Sequence, residues 1–263
     1  PQLKGSRYRL LKEENIRENI NEAYKEAVKS QSINDALRAF DPVTVPTIVH
    51  IIKDEDESVI NEAEGKEQEQ IDVLNKAFFD NDMGFTFELK AVRTHVDSKF
   101  WDEPCPSCSG FDDKDRSSMA ESTREGGDDT LNVWFNNGPP YGFAMLGPAC
   151  GYPDHLDGVV VKHTTIYGGS NPKKNLGTLL VHEVGHWLGL DHTFLGYSCS
   201  GDGDGVSDTA PQKSPTNTCD SKISEVDTCK DDDFPDPVSN YMNYVDDPCM
   251  HSFTPGQALK SHL

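Results

Sequence analysis

Residues 179–194, LLVHEVGHWLGLDHTF, set three histidines and one glutamate among mostly apolar neighbours. On a helix His182 and His186 are one turn apart, so both rings project from the same face and can share one metal ion. Glu183, beside the first histidine, is placed to hold a water on that metal and take its proton. Leu179, Leu180, Val184, Trp187 and Leu188 supply the apolar faces of a buried helix. Gly189 can enter the left-handed backbone region at little cost, which stops the helix and turns the chain so that His192 returns as a third ligand. Three protein ligands leave one coordination position open, the mark of a catalytic zinc site rather than a structural one. A bare H-E-x-x-H arises by chance; H-E-x-x-H-x-x-G-x-x-H fixes five positions over eleven residues and is far more specific. A second element, SNYMNY at 239–244, has the pattern of a methionine turn.

These residues need a scaffold. Residues 10–40 are rich in helix formers with apolar positions at near-helical spacing. TVPTIVHII (44–52) is β-branched and reads as a strand, and Ile71, Leu74 and Phe78 give the next segment one helical stripe. FTFELKAV (85–92), DTLNVWFNN (129–137) and GVVVKHTTI (158–166) read as further strands. After Thr193 the composition shifts to Gly, Asp, Ser, Pro and Cys with little periodicity. The expectation is one catalytic domain over 1–263, with an α/β upper lobe (1–192), an irregular lower lobe (193–263) and the zinc cleft between them.

The 263 residues carry a net charge of −21, which argues against nucleic-acid binding, and no apolar run is as long as a membrane span. No signal peptide opens the sequence and no cysteine precedes Cys105, so the chain reads as a processed, mature form. Seven cysteines, four of them after the zinc motif, point to disulfides and an oxidising compartment. Cys105 and Cys108 form a single C-x-x-C, and a structural zinc there competes with disulfide pairing; the partners of Cys105, Cys108 and Cys150 stay open. The remaining histidines, His50, His95, His155, His163, His251 and His262, have no ligand spacing.

HEVGHWLGLDHTF, GDGVSDT (203–209) and NYMNYVDDPCMHSFTPGQ (240–257) together resemble the pappalysin family of metzincin metallopeptidases, in its ulilysin-like branch. The resemblance spans roughly the last third of the chain. It implies a twisted, mostly parallel five-stranded sheet with two long helices, its last strand edging the cleft, and YGFAMLG (141–147) and VVVKHTTI at the rim. Met242 would pack beneath the zinc ligands, and Tyr244 would donate a hydrogen bond to the oxyanion of the tetrahedral intermediate; a purely structural tyrosine is the competing reading. The family's disulfides fall on Cys199–Cys229 and Cys219–Cys249. SGDGDGVSDT (200–209) resembles a calcium loop, with Asp204, Val206, Asp208 and Thr209 as ligands, against the alternative of a polar turn. Asp246 or Asp247 would face the pocket for the side chain on the carboxyl side of the cut and select Arg or Lys there, unless both are solvated surface carboxylates.

The function expected is a secreted zinc-dependent endopeptidase acting on proteins or peptides, with Zn²⁺ on His182, His186 and His192, Glu183 as general base, and Ca²⁺ as a structural ion. An exopeptidase of the other H-E-x-x-H clan would take a glutamate as third ligand, against Gly189 and His192. An inactive binding module would have no need of Glu183.

Overall fold

A computed structural model describes residues 40–102, 118–138, 141–145, 157–220, 222–231 and 234–262. The expected helix over 10–40, His155, and Cys105, Cys108 and Cys150 lie outside these residues.

Strand β1 (Val43–Lys53) is the expected β-branched run. It lies between β2 (Phe85–Val96) and β3 (Leu131–Asn136), parallel to both, and is therefore buried almost without interruption from Val45 to Ile52. β2 is an edge strand, with exposed residues alternating along its first half. β5 (Gly158–Lys162) extends the sheet in parallel beside β3, and β4 (Gly142–Met145) closes it antiparallel to β5. The order is β2-β1-β3-β5-β4. The strand at the cleft edge is thus β4 and not the last in sequence. β5 is interior because its Val159, Val160 and Val161 must all be covered. The segment expected as strand to Ile166 leaves the sheet after Lys162 and makes a 3₁₀ turn, His163–Thr165.

Helix α1 (Glu67–Asp80) carries the expected stripe Ile71, Leu74 and Phe78. It packs with α4 (Thr178–Trp187) on the sheet face presented by Val49, Ile51, Val159 and Val161. The opposite face, Ile52, Trp134 and Val160, is covered by α2 (Ser98–Trp101) and α3 (Ser118–Thr123) through Trp101, Met119 and Ala120. From Leu188 the described chain has no further strand. It runs through turns joined by the disulfides Cys199–Cys229 and Cys219–Cys249, with Cα atoms 5.4 and 5.7 Å apart. It ends in a helix that periodicity did not suggest, α5 (Pro255–His262). Phe253 and the α5 residues Ala258 and Leu259 are buried. Among the described residues no helix is long and apolar enough to cross a membrane.

Candidate metal centre and its surroundings

Helix α4 is fixed at both ends before its side chains are considered. At its start Gly177 has φ +79°, and the amide of Gln70 on α1 donates to the Gly177 carbonyl at 2.9 Å; a Cβ on Gly177 would sit 2.6 Å from that same amide. At its end Trp187 Nε1 donates to Asp157 at 3.2 Å, and Asp157 is itself in a buried ion pair with Arg124. Leu180, Val181 and Val184 are buried, so the helix cannot rotate without exposing them. Gly189 follows the helix at φ +89°, a left-handed value. Leu190 N then bonds back to the Gly185 carbonyl at 3.0 Å. The chain reverses there and brings His192 to the helix face.

The result is three Nε2 atoms converging: His182 to His186 at 3.1 Å, His182 to His192 at 3.2 Å, and His186 to His192 at 3.0 Å. His182 Nδ1 is 2.6 Å from the Tyr241 carbonyl and His186 Nδ1 is 2.7 Å from the Leu190 carbonyl. A carbonyl only accepts, so both Nδ1 atoms carry the proton and both Nε2 atoms present lone pairs. Burial holds all three rings below the ordinary imidazole range, His192 at about 3. The His182 and His186 lone pairs, facing each other across 3.1 Å, repel unless a cation lies between them, and His192 Nε2 stands within 3.2 Å of both. The donor set therefore fits a metal ion, and three imidazoles fit zinc.

Glu183 is 4% exposed, and burial pushes its carboxyl up to about 8. Strand β4 crosses beside it: a Cβ on Gly142 would lie 2.9 Å from Glu183 Oε1, so the absent side chain leaves the carboxylate its place. Met242 is fully buried, and a Cβ on Gly185 would lie 2.5 Å from its Sδ, which places the methionine directly against α4. Its turn is held on both sides by residues that sequence reasoning left unassigned. Asn240 Oδ1 accepts the Met242 amide at 2.9 Å and exchanges two side-chain bonds with Gln257 of α5. Asn243 Oδ1 accepts the amides of Thr216 and Tyr244, while its Nδ2 donates to Gln212 Oε1, which also accepts the Thr193 hydroxyl. The only sequence signal for these roles was the pair of asparagines flanking the tyrosine and methionine of NYMNY.

Tyr244 lies with its ring centre 4.7 Å from that of His192 and 5.8 Å from that of His182. Burial, followed by the Glu183 charge, pushes its phenol up to about 12, so it is a proton donor at neutral pH. Asp246 and Asp247, the candidate pocket carboxylates, both have partners within the chain. Asp247 is 1% exposed, accepts the Leu176 amide at 2.8 Å, and lies 3.8 Å from the buried Lys174 ammonium. Asp246 lies 3.5 Å from Lys173. Lys174 also donates to the carbonyls of Tyr244 and Val245. Each of the two aspartates thus has a lysine of the chain itself beside it.

In the glycine loop, Gly201, Gly203 and Gly205 all have positive φ. A cavity of about 490 Å³ is lined by Asp202, Asp204, Val206 and Thr209 among others. Asp204 Oδ1 accepts the Val206 amide, whereas Asp204 Oδ2 and Thr209 Oγ1 are buried and interact at most with each other. Burial pushes the Asp204 carboxyl up to about 6. Two buried oxygens with no other partner in a glycine-shaped loop fit a hard cation. Asp208 departs from the expected ligand set. Its Oδ1 accepts the Thr254 hydroxyl and its Oδ2 the Gly256 amide, which caps α5 instead of lining the cavity.

The peptidase M43 family model, described as pregnancy-associated plasma protein-A, matches residues 131–262. An "Extracellular metalloprotease" of Colletotrichum graminicola is 39% identical over 200 residues, 73% of this chain and 66% of that protein. One of Verticillium alfalfae is 34% identical over 250 residues, 89% of this chain and 81% of that protein. Among solved structures, mature mirolysin of Tannerella forsythia in complex with a cleaved peptide superposes with a TM-score of 0.66. That match is at 23% identity and covers 85% of this chain and 92% of that one, a likeness of fold. The matches in sequence and the mirolysin-like fold agree, and the chain belongs to the M43, or pappalysin, family of zinc metalloendopeptidases.

Proposed function

We propose that this chain hydrolyses internal peptide bonds of proteins outside the cell, with His182, His186 and His192 holding zinc through Nε2 and Glu183 as general base. The observation that carries the reading is the convergence of three Nε2 atoms beside a buried carboxyl group. Bound zinc supplies a Lewis acid that polarises the scissile carbonyl and brings the pKa of water toward neutrality. Glu183 takes the proton from the attacking water and passes it to the leaving amine. The Tyr244 phenol donates to the oxyanion as charge develops. Met242 and Gly189 serve the site by packing under the rings and by returning His192 to them. Secretion is supported by the two disulfides and by the extracellular relatives.

We assign the glycine loop a structural Ca²⁺ held by Asp204 Oδ2, Thr209 Oγ1 and the Val206 carbonyl, with the Asp208 carboxylate committed to α5. The expected preference for Arg or Lys after the cut is not adopted. A substrate cation would have to displace Lys174 from a carboxylate that is already compensated, and it would gain little by doing so. Sequencing the new amino termini in a digested denatured proteome decides this point, since termini dominated by Arg or Lys would restore the acidic pocket. The function itself is tested by casein hydrolysis with and without a zinc chelator. Loss on chelation and recovery with added zinc are expected; chelator-resistant cleavage, or no cleavage by the zinc-loaded protein, contradicts the reading.

A further inference from the structure

Tyr197 has three features that the chemistry above does not use. Its backbone lies at φ +50°, in the left-handed region, which is uncommon for any residue but glycine and strained for a bulky one. The turn does not require a tyrosine there: Gly196, at φ +82°, makes the turn, and the Tyr197 amide that donates to the Phe194 carbonyl at 3.0 Å belongs to the backbone. Nor does the core require it, because the residue is 64% exposed. Strain of this kind persists where the surroundings impose it, and it gathers at binding and catalytic sites.

The surroundings here are aromatic and lead to the metal centre. The Tyr197 ring meets Phe194 with centres 5.7 Å apart. Phe194 stacks on the His192 ring at 4.9 Å, nearly parallel at 10°, and meets Tyr244 at 4.8 Å. An aromatic surface therefore runs from a metal-binding imidazole through a buried phenylalanine to an exposed ring at the edge of the site. Tyr244, which shares Phe194 with it, is 41% exposed.

We infer that Tyr197 is a substrate-binding residue whose exposed face receives an aromatic or branched aliphatic side chain of the peptide, beside the bond being cut. The inference rests on the endopeptidase reading and adds to it a class of side chain. A ring with two rotatable bonds, already leaning on Phe194, loses little freedom when it is covered, and covering it removes apolar surface from water on both partners. The left-handed backbone at Tyr197 is what aims the ring outward from the turn.

The test compares wild type, Tyr197→Phe and Tyr197→Asn. Asparagine accepts a left-handed backbone more readily than tyrosine, so Tyr197→Asn removes the ring while its melting temperature stays at or above that of wild type. A denatured proteome is digested by each and both sides of every cut are sequenced. KM and kcat are then measured on the casein peptide that wild type cuts fastest. For Tyr197→Asn we expect enrichment of Phe, Tyr, Leu and Ile to vanish at one position flanking the cut, with KM up about tenfold and kcat within twofold. Tyr197→Phe should keep the wild-type profile. An unchanged profile and KM in Tyr197→Asn, or an equal loss in Tyr197→Phe, would overturn the inference and leave the endopeptidase reading intact. A zinc-loaded wild type that cuts nothing would overturn that reading itself.

Discussion

Two carbonyls, those of Tyr241 and Leu190, decide what His182 and His186 can do, because they take the Nδ1 protons and leave both Nε2 atoms with bare lone pairs. The ring spacing was legible in sequence because helical geometry sets it locally. The carbonyls were not, since Tyr241 lies 59 residues from His182. The same limit applies to Asp208, read as a calcium ligand, and to Asp246 and Asp247, read as pocket carboxylates: Thr254 and Gly256 bond to the first, and Lys173 and Lys174 lie beside the others, all distant in sequence. At this scale the phenol of Tyr244 gives the sharpest test. Tyr244→Phe should lower kcat by roughly 10- to 1,000-fold and leave KM nearly unchanged, since the hydroxyl bonds to a group that exists only beyond the ground state. A rise in KM at constant kcat would return Tyr244 to a packing role. Asp204→Asn carries the corresponding test for calcium. Added Ca²⁺ should raise the melting temperature of wild type by several degrees and that of the variant much less, and equal responses would remove the ion from this loop.

Elements long enough to repeat a pattern were readable. β1 was legible as a β-branched run, its ends within a residue of those expected, and α1 as the stripe Ile71, Leu74 and Phe78. α2 and α3, at 4 and 6 residues, are too short to show a period, and α5 was missed because Leu259 is the one large apolar side chain that PGQALKSH buries. Sheet order was not legible either. It depends on which strands need two covered faces, and β4 is short enough to serve as an antiparallel edge. The contact of greatest consequence between elements is that of α4 with the methionine turn. Gly185→Ala puts a methyl group 2.5 Å from Met242 Sδ, so either the turn or the helix must shift. Overpacking of this kind costs roughly 1–3 kcal/mol. The variant should melt several degrees lower and bind zinc more weakly, because the same turn carries the Tyr241 carbonyl that orients His182. Unchanged stability and zinc affinity would show that the turn yields freely.

Across the whole molecule the sheet-based part follows from hydrophobic patterning, whereas the part after Leu188 depends on disulfides, amide networks and the glycine loop, none of which has a period to read. The buried histidines set its response to acid. His50 bonds to Asn132 and His95 and stacks on Trp134, with Glu125 and Arg93 nearby, and burial lowers it from 6.5 to about 4. His163 is likewise lowered to about 4 by burial. The unfolded chain thus takes up these protons first. The stability they confer is intact above about pH 6.5 and is lost progressively as pH falls toward 4, by up to roughly 3 kcal/mol for His50. His50→Gln should therefore flatten the fall in melting temperature between pH 7 and 4.5, and an identical slope would place the acid response elsewhere. The reaction is tested most directly by Glu183→Ala, assayed for zinc content and casein turnover in the same preparation. One zinc per chain, a wild-type melting temperature and turnover lower by at least about a thousandfold are expected, because the substitution removes the proton carrier and spares all three imidazoles. Zinc-loaded Glu183→Ala retaining a tenth or more of wild-type turnover would contradict the mechanism.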